Sequence, residues 1–374
     1  MAYNSSSHDS DSMTFAVRSF AKINLGLYIG ALRSDGFHEL RTVYQTIALH
    51  DVIRVSVARG SGIEILCQCE DPRVPLDSTN TCYRMASLVM QELGATGKVT
   101  IEIGKKLPVQ GGLGAASSNA VATMVALEKA LGVSGHGKAK GRRGKPRPYT
   151  ETTRLRIAAK VGSDLPLFVL GGTVLGVGRG EEVYPLADLA TTAMVVVTPD
   201  VGVSTPRAFA EWDALVEGDK AARLGPALTG QSPVTTLQLT HPGASDRLSE
   251  VGCALSAWLT GYPDIFRNTG APAKGGSRAG SLLSDLVRTG IENDFEKVVF
   301  PQFPELRDIK RALLRAGSKY ASLSGSGSTL YGLFRSPAEA AKAARSLQKQ
   351  GLKAVVTRTL PRPRFWKQSL VVGG

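Results

Sequence analysis

The chain has 374 residues, 43% hydrophobic and 21% charged, the proportions of a globular protein long enough for two domains. No apolar run approaches the roughly 18 residues of a membrane span, and the polar, Ser-rich opening lacks the basic start and apolar stretch of a signal peptide. A cytoplasmic protein without a membrane partner is therefore expected. Four cysteines, Cys67, Cys69, Cys82 and Cys253, show neither a CxxC pair nor a histidine partner, which speaks for reduced thiols against a zinc site or a disulfide framework. The net charge is +13, and six of the positive charges crowd between Lys138 and Arg147. The basic remainder suits an enzyme that handles phosphorylated anions.

Residues 1–13 are expected as a disordered tail. From Thr14 to Val57 apolar residues alternate as in strands, with Asp35-Gly36 as a turn between two runs. Shorter strands are expected at 63–69 and 99–103. Cys82, Met85, Ala86, Val89 and Leu93 share one face of a helix over 81–93. Ala120, Met124, Leu127 and Leu131 do the same over 118–131. These apolar stripes read as core. Residues 134–148 have the composition of a low-complexity surface insertion, and a second weak stretch runs from Gly270 to Ser281. Beyond Leu186, strands are expected at 194–197, 320–323, 329–334 and 353–357. Helices are expected at 304–316 and 338–348, each closed by a glycine. That order fits a split-βαβ, ferredoxin-like second domain.

The most informative segment is Pro108-Val-Gln-Gly-Gly-Leu-Gly-Ala-Ala-Ser-Ser-Asn119, which follows a strand and opens a helix. Gly111, Gly112 and Gly114 let backbone approach a bulky anion. The helix N-terminus adds N–H groups and the positive end of its dipole. Ser117 and Ser118 offer hydroxyls to phosphate oxygens or to magnesium. GxxxxGK[ST] is absent, so this is not a Walker loop. Ser117 stands where a dinucleotide fingerprint needs its third glycine.

Two further segments give the loop its context. Phe20-Ala-Lys-Ile-Asn-Leu-Gly-Leu27, the loop itself and Leu323-Ser-Gly-Ser-Gly-Ser-Thr-Leu-Tyr-Gly-Leu-Phe334 resemble, in order, the three motifs of the GHMP kinases. Arg33-Ser-Asp-Gly-Phe-His-Glu-Leu40, Val161-Gly-Ser-Asp-Leu-Pro-Leu-Phe168, Gly176-Val-Gly-Arg-Gly-Glu181 and Asn293-Asp-Phe-Glu296 narrow the likeness. They resemble the branch that phosphorylates a cytidine-diphosphate-linked methylerythritol. The resemblance spans about residues 15–360. It implies a two-domain α+β fold, a ribosomal protein S5 domain 2-like domain at 14–187 and a ferredoxin-like domain at 188–362, followed by a tail at 363–374.

The resemblance also implies roles. Asp164 is expected as the base that takes the proton of the acceptor hydroxyl, with Lys22 as its partner. ATP is expected along Pro108, Gly111, Gly112, Leu113, Gly114, Ala115, Ala116, Ser117, Ser118 and Asn119, with Asn80 and Lys105 near the adenine and magnesium on the phosphates. Ala115 and Ala116 replace usual glycines and are expected to crowd the phosphates slightly. The acceptor is expected to meet Asn24, Phe37, His38, Thr205, Phe209, Ser324, Gly325, Ser326 and Gly327. Phe37 and Phe209 would be the two faces of a cytosine sandwich, since phenylalanine keeps the π-face of the tyrosine usual at position 37. The implied partners are small molecules, on a monomer or weak homodimer. A nucleic-acid role would need aromatic groups beside the basic run, and only Tyr149 lies near it. Two alternatives stay open: a kinase for homoserine or a mevalonate derivative, and a nucleotide-binding protein without turnover.

Overall fold

The computed structural model describes residues 13–133, 138–139, 147–224 and 291–371. The expected tail at 1–13 falls almost wholly outside these residues. So do the expected insertion at 270–281 and most of 134–148, of which only a two-residue ladder, Lys138–Ala139 against Arg147–Pro148, is described.

Two long strands open the chain, β1 (Phe15–Leu32) and β2 (His38–Ala58). The turn between them has Gly36 at φ +80°, and the Arg33 N–H donates to the Phe37 carbonyl at 2.7 Å. Next come β3 (Ile63–Cys69), α1 (Thr81–Leu93), β4 (Gly97–Gly104) and α2 (Ala115–Ala130). They are followed by α3 (Glu151–Val161), α4 (Leu165–Leu170), β5 (Thr173–Val177) and β6 (Glu182–Pro185). The second half contributes β7 (Ala193–Val197), α5 (Thr205–Leu224), α6 (Glu296–Gln302) and α7 (Pro304–Arg315). It then adds β8 (Tyr320–Leu323), β9 (Leu330–Phe334), α8 (Pro337–Gln348) and β10 (Ala354–Arg358). A helix α9 (Arg362–Ser369) and a short strand β11 (Leu370–Val371) finish the described chain.

The first sheet runs β11–β1–β2–β4–β3. Strand β2 is long enough to serve two partners. Its Val52–Ala58 half pairs with β4, and its Thr42–Gln45 half pairs with β5, which carries β6 outward. Only β3 and β4 run parallel, because α1 crosses between them. The second sheet runs β8–β9–β7–β10, antiparallel throughout. With α5 after β7 and α8 between β9 and β10, this is the split-βαβ arrangement expected from sequence.

Local chemistry explains the elements. The side chain of Asn80 caps α1, and Cys82, Met85, Ala86, Val89 and Leu93 are all buried along its inner face. In α7 the buried residues are Leu306, Ile309, Ala312 and Leu313, again one stripe. One core lies under the first sheet, around Ile53, Met85, Ile101, Leu127 and Phe168. Another lies under the second, around Val195, Leu313, Phe334 and Leu347. A third joins them: Ile23 and Ile47 of the first sheet pack with Leu113, Met194 and Tyr331. This bridging core fixes the two sheets around the Lys22 segment.

Two expectations are corrected. Residues 363–371 are not a tail. Phe365 packs against Phe20 with ring centroids 5.6 Å apart, Trp366 Nε1 donates to the Leu170 carbonyl, and β11 extends the first sheet beside β1. The polar composition of this segment hid its two aromatic anchors. The second helix starts at Ala115, three residues before the expected start. Ala115 and Ala116 therefore sit in a helical turn whose negative φ suits alanine, and the turn has no need of glycine there.

Candidate functional site

Lys22 stands on β1 immediately after a register shift between Phe20 and Lys22, a local irregularity that re-aims a side chain. Its backbone N–H donates to the Leu113 carbonyl at 3.0 Å, which ties the strand to the glycine loop. The side chain is 4% exposed. Its Nζ donates to Asn24 Oδ1 at 2.7 Å and lies 3.5 Å from Asp164 Oδ2. Asn24 is held in turn: its Nδ2 donates to Thr42 Oγ1, whose hydroxyl donates to the Gly26 carbonyl. Asp164 stands at the N-cap position of α4 without a side-chain capping bond, with Pro166 inside the first turn. Its carboxylate is 34% exposed and takes a second contact from the Tyr44 hydroxyl, which donates to Oδ1 at 3.0 Å.

Tyr44 was not expected. Burial, reinforced by the charge of Asp164, pushes its phenol well above the ordinary range, so it stays protonated and remains a donor. Two glycines make room for it. A side-chain carbon on Gly176 would fall 2.5 Å from the Tyr44 ring, and one on Gly180 would fall 2.6 Å from its hydroxyl. The Gly176-Val-Gly-Arg-Gly-Glu181 segment thus has a physical reason for its first and last glycines.

The glycine loop turns its carbonyls inward. The Gly111 carbonyl accepts from the Thr329 N–H, the Gly112 carbonyl from Ser324 Oγ, and the Leu113 carbonyl from Lys22. Gly112 has φ +74°, and a side-chain carbon there would lie 2.1 Å from the Ser324 carbonyl oxygen. Gly114 has φ +66° and packs against Lys22 and Phe168. Among the described residues no acceptor meets the N–H groups of Ala115, Ala116 and Ser117, the first turn of α2. The Ser117 hydroxyl has no partner either. These free donors, at the positive end of a 16-residue helix and beside Lys22, form an anion cradle. Pro108 and Leu113 shape it by packing: Leu113 is buried in the bridging core, and Pro108 lies against Gly111.

Several residues expected at the nucleotide face protein instead. Asn80 is the cap of α1, accepting from the Cys82 N–H. Ser118 is buried and donates to the Phe20 carbonyl. Asn119 accepts from Ser19 and donates to Asp51. Lys105 is 10% exposed, its Nζ 2.6 Å from the fully buried Asp51. Each has a polar partner from the fold.

The Ser324–Thr329 loop also works by docking. Ser324 is fully buried against Gly112, and Ser326 shares a 2.7 Å hydrogen bond with Thr205 at the start of α5. Asn293 Nδ2 donates to the carbonyls of Leu323 and Gly325, fixing the loop from behind. Gly325, at φ +59°, brings backbone to within reach of Lys22 Nζ and Asn24 Oδ1, and Gly327 packs on Leu323.

The expected aromatic sandwich takes a different form. His38 is buried, stacked flat on Phe209 at 5.2 Å, with Nδ1 against the Gly30 carbonyl and Nε2 3.1 Å from Asp213. Phe37 is 52% exposed under the Arg179 guanidinium, 4.9 Å from its ring centroid. Each phenylalanine is thus covered on one face by a different neighbour. Phe37, Arg156, Lys160, Ser163 and Arg179 line an open cavity of about 660 Å³ that reaches the residue before Asp164. Sequence reasoning missed Tyr44, Asp51 and Asp213, polar residues within otherwise ordinary strands and a helix, and gave no role to Arg179 and Asn293, although both lie in motifs of the family resemblance.

Comparison with known proteins agrees with this geometry. Residues 80–172 match the GHMP kinases N terminal domain, and residues 277–353 match the GHMP kinases C terminal family. A Solibacter usitatus protein named 4-diphosphocytidyl-2-C-methyl-D-erythritol kinase is 36% identical over 321 residues, 85% of this chain and 81% of that one. A Moorella thermoacetica protein of the same name is 32% identical over 341 residues, covering 91% and 97%. The crystal structure of a 4-(cytidine 5'-diphospho)-2C-methyl-D-erythritol kinase superposes with TM-score 0.60 at 26% identity, covering 92% of this chain and 98% of that one. A homoserine kinase from Cytophaga hutchinsonii superposes with TM-score 0.63 at 19% identity, covering 98% of each chain, a likeness of fold alone. The two-sheet fold and its loops are those of a GHMP kinase. Within that class the chain belongs to the 4-diphosphocytidyl-2-C-methyl-D-erythritol kinase family.

Proposed function

We propose that this protein transfers the γ-phosphate of ATP to a hydroxyl of 4-diphosphocytidyl-2-C-methyl-D-erythritol. The product is the 2-phosphate, in the non-mevalonate route to isoprenoid precursors. The observation that carries the reading is Asp164 held between Lys22 and Tyr44, beside a helix N-terminus with free N–H groups. In this reading the first-turn N–H groups of α2 and the Ser117 hydroxyl hold the phosphates. The acceptor oxygen attacks the γ-phosphorus, the bond to the β-phosphate oxygen breaks, ADP leaves, and the hydroxyl proton passes to Asp164. The Lys22 ammonium lies 3.5 Å from the Asp164 carboxylate and eases loss of the acceptor proton. It also balances charge gathering on the transferred group.

Magnesium would be held chiefly by nucleotide oxygens, with Ser117 as the free protein hydroxyl nearest the cradle, and when bound it would neutralise phosphate charge. The fit is one of donor chemistry. Ser117 is an unpartnered oxygen, and no cluster of three acidic or His/Cys side chains stands ready among the described residues. The exposed face of Phe37 and the buried His38, supported by Asp213, are the groups we assign to the cytosine end.

The test is ATP consumption by the purified protein with magnesium. Acceptors are 4-diphosphocytidyl-2-C-methyl-D-erythritol, homoserine, mevalonate or none, with Asp164→Ala run in parallel. Turnover only with the cytidine acceptor, lost in the variant, is expected. Turnover with homoserine or mevalonate alone would overturn the acceptor assignment and keep the kinase chemistry.

A further inference from the structure

A buried Lys–Asp pair beside the glycine loop, Lys105 with Asp51, has no part in the chemistry above. Asp51 lies on β2, directly across the sheet from Ser19 on β1, and is fully buried. A carboxylate offers about four lone-pair sites. All four are taken. Oδ1 accepts from the backbone N–H groups of Lys106 and Leu107, at 2.6 and 2.7 Å. Oδ2 accepts from Lys105 Nζ at 2.6 Å and from Asn119 Nδ2 at 3.0 Å.

The four donors come from two places. Lys105, Lys106 and Leu107 lead directly into the glycine loop, and Asn119 stands in the first turns of the helix that leaves it. One carboxylate therefore clasps both roots of the loop. Asn119 carries the tie onward: its Oδ1 and Ser118 Oγ share the single Ser19 O–H, at 2.6 and 2.7 Å, and the Ser118 hydroxyl donates to the Phe20 carbonyl. Ser19 and Phe20 stand immediately before Lys22 on β1. The clasp thus sets the loop's position relative to the strand that carries Lys22.

We propose that Asp51 is the positioning residue of the phosphate loop, acting through Lys105–Leu107 and Asn119 to set its affinity for nucleotide phosphates. The inference rests on the kinase reading above, in which that loop holds phosphate. N–H groups that must converge on an anion need their support held to a fraction of an ångström. Between its roots the loop is tied through the carbonyls of Gly111, Gly112, Leu113 and Ala116, to Thr329, Ser324, Lys22 and Thr81, and through the Ser118 hydroxyl to Phe20, whereas Asp51 meets both roots at once. It also gives Lys105 a purpose: its charge balances a buried carboxylate and has no need of ATP.

Asp51→Asn keeps the shape and replaces one acceptor oxygen with a donor. We expect it to raise the KM for ATP and the calorimetric Kd for ADP about tenfold, with the acceptor KM held within about twofold. Measurements are made well below the melting temperature of the variant. Unchanged nucleotide constants, or equal rises in both KM values, would overturn the proposal. The double change Asp51→Asn with Asn119→Asp restores one tie, because the new amide at position 51 donates to the new carboxylate at 119. It should recover most of the lost nucleotide affinity, and no recovery counts against the proposal. Lys105→Met removes the charge and leaves the backbone donors. It carries the test should the first variant fail to fold, with an expected rise of about threefold in both nucleotide constants. No rise there would also sink it. ADP binding by the unaltered protein separates the two ideas: its absence defeats the kinase reading and this inference together, whereas binding that Asp51→Asn and Lys105→Met leave unaltered defeats only this inference.

Discussion

Two lysine–aspartate pairs flank the glycine loop, and they are built for opposite ends. Lys105 and Asp51 are 2.6 Å apart, with Asp51 fully buried and all its acceptor sites filled. Lys22 and Asp164 are 3.5 Å apart, with Asp164 a third exposed, bonded once to Tyr44 and left with lone pairs to spare. A saturated carboxylate can hold a structure but has nowhere to put a proton. An under-coordinated one can accept a proton from a substrate that reaches it. Residue type does not separate the two pairs; the count of donors around each carboxylate does.

The largest expected effects break this contrast directly. Asp164→Ala should lower kcat by about 10²–10⁴-fold and leave the fold nearly as stable, since Lys22 keeps its bond to Asn24. Asp51→Ala should do the reverse to stability, costing about 3–5 kcal/mol, because an ammonium and three other donors lose their buried acceptor. Turnover assays and denaturant unfolding on the same two proteins check the pair of outcomes. Equal stability losses would show that the two carboxylates are not different in kind.

Gly112→Ala probes the contact that joins the loop to the second sheet. At φ +74°, with a carbonyl oxygen 2.1 Å from the new carbon, the backbone itself must move. A loss of about 1–3 kcal/mol in denaturant unfolding is expected. Gly36→Ala has a similar φ of +80° and open space around it, so it pays only the conformational part, about 1–2 kcal/mol. A larger loss at Gly36 than at Gly112 would show that the two loops are not packed as described.

Tyr44→Phe sharpens the contrast from the other side, by removing the single hydrogen bond that orients Asp164. The ring stays in the space that Gly176 and Gly180 leave for it. A fall of about tenfold in kcat, with the melting temperature and ATP KM little changed, is expected from the loss of a bond to a charged group. An unchanged kcat would mean that Lys22 and the α4 terminus position Asp164 without help.

The sequence carried much of this, unevenly. Helix α1 was legible over 81–93 because Cys82, Met85, Ala86, Val89 and Leu93 fall on one face, while the capping role of Asn80 emerges only from the structure. Lys22, Asp164 and the glycine loop were legible because they sit in motifs. Within the loop, however, Ser117 and Ser118 look alike. Only the helical turn from Ala115 decides that one is free and the other faces Phe20. Asp51 and Tyr44 lie within a 21-residue strand, and their meaning depends on residues far away in the chain. Lys105 was placed near the adenine on the family resemblance, and its partner Asp51, more than fifty residues earlier, leaves no mark in the local sequence. Phe37 and Phe209 were expected as the two faces of a cytosine sandwich, and only the tertiary fold shows the neighbour each ring meets, Arg179 and His38.

The smallest effect tests burial without a charged partner. Cys67 and Cys82 are buried beneath the first sheet, and burial pushes their thiols from the ordinary 9.0 up to about 11 and about 12. Cys69, two residues along the same strand, is only partly buried. At pH 8 an alkylating reagent followed by peptide mapping should label Cys69 first and spare Cys67 and Cys82 until the protein unfolds. The same burial makes stability depend on pH in one direction. Above about pH 9 the unfolded thiols release protons that the folded ones retain, so the folded state holds more protons and stability falls as pH rises. That contribution is intact below pH 9 and drains away toward 11 and beyond, and Cys82→Ala should flatten the decline. Early labelling of Cys82 in the native protein would show that the core under α1 opens more readily than its packing allows.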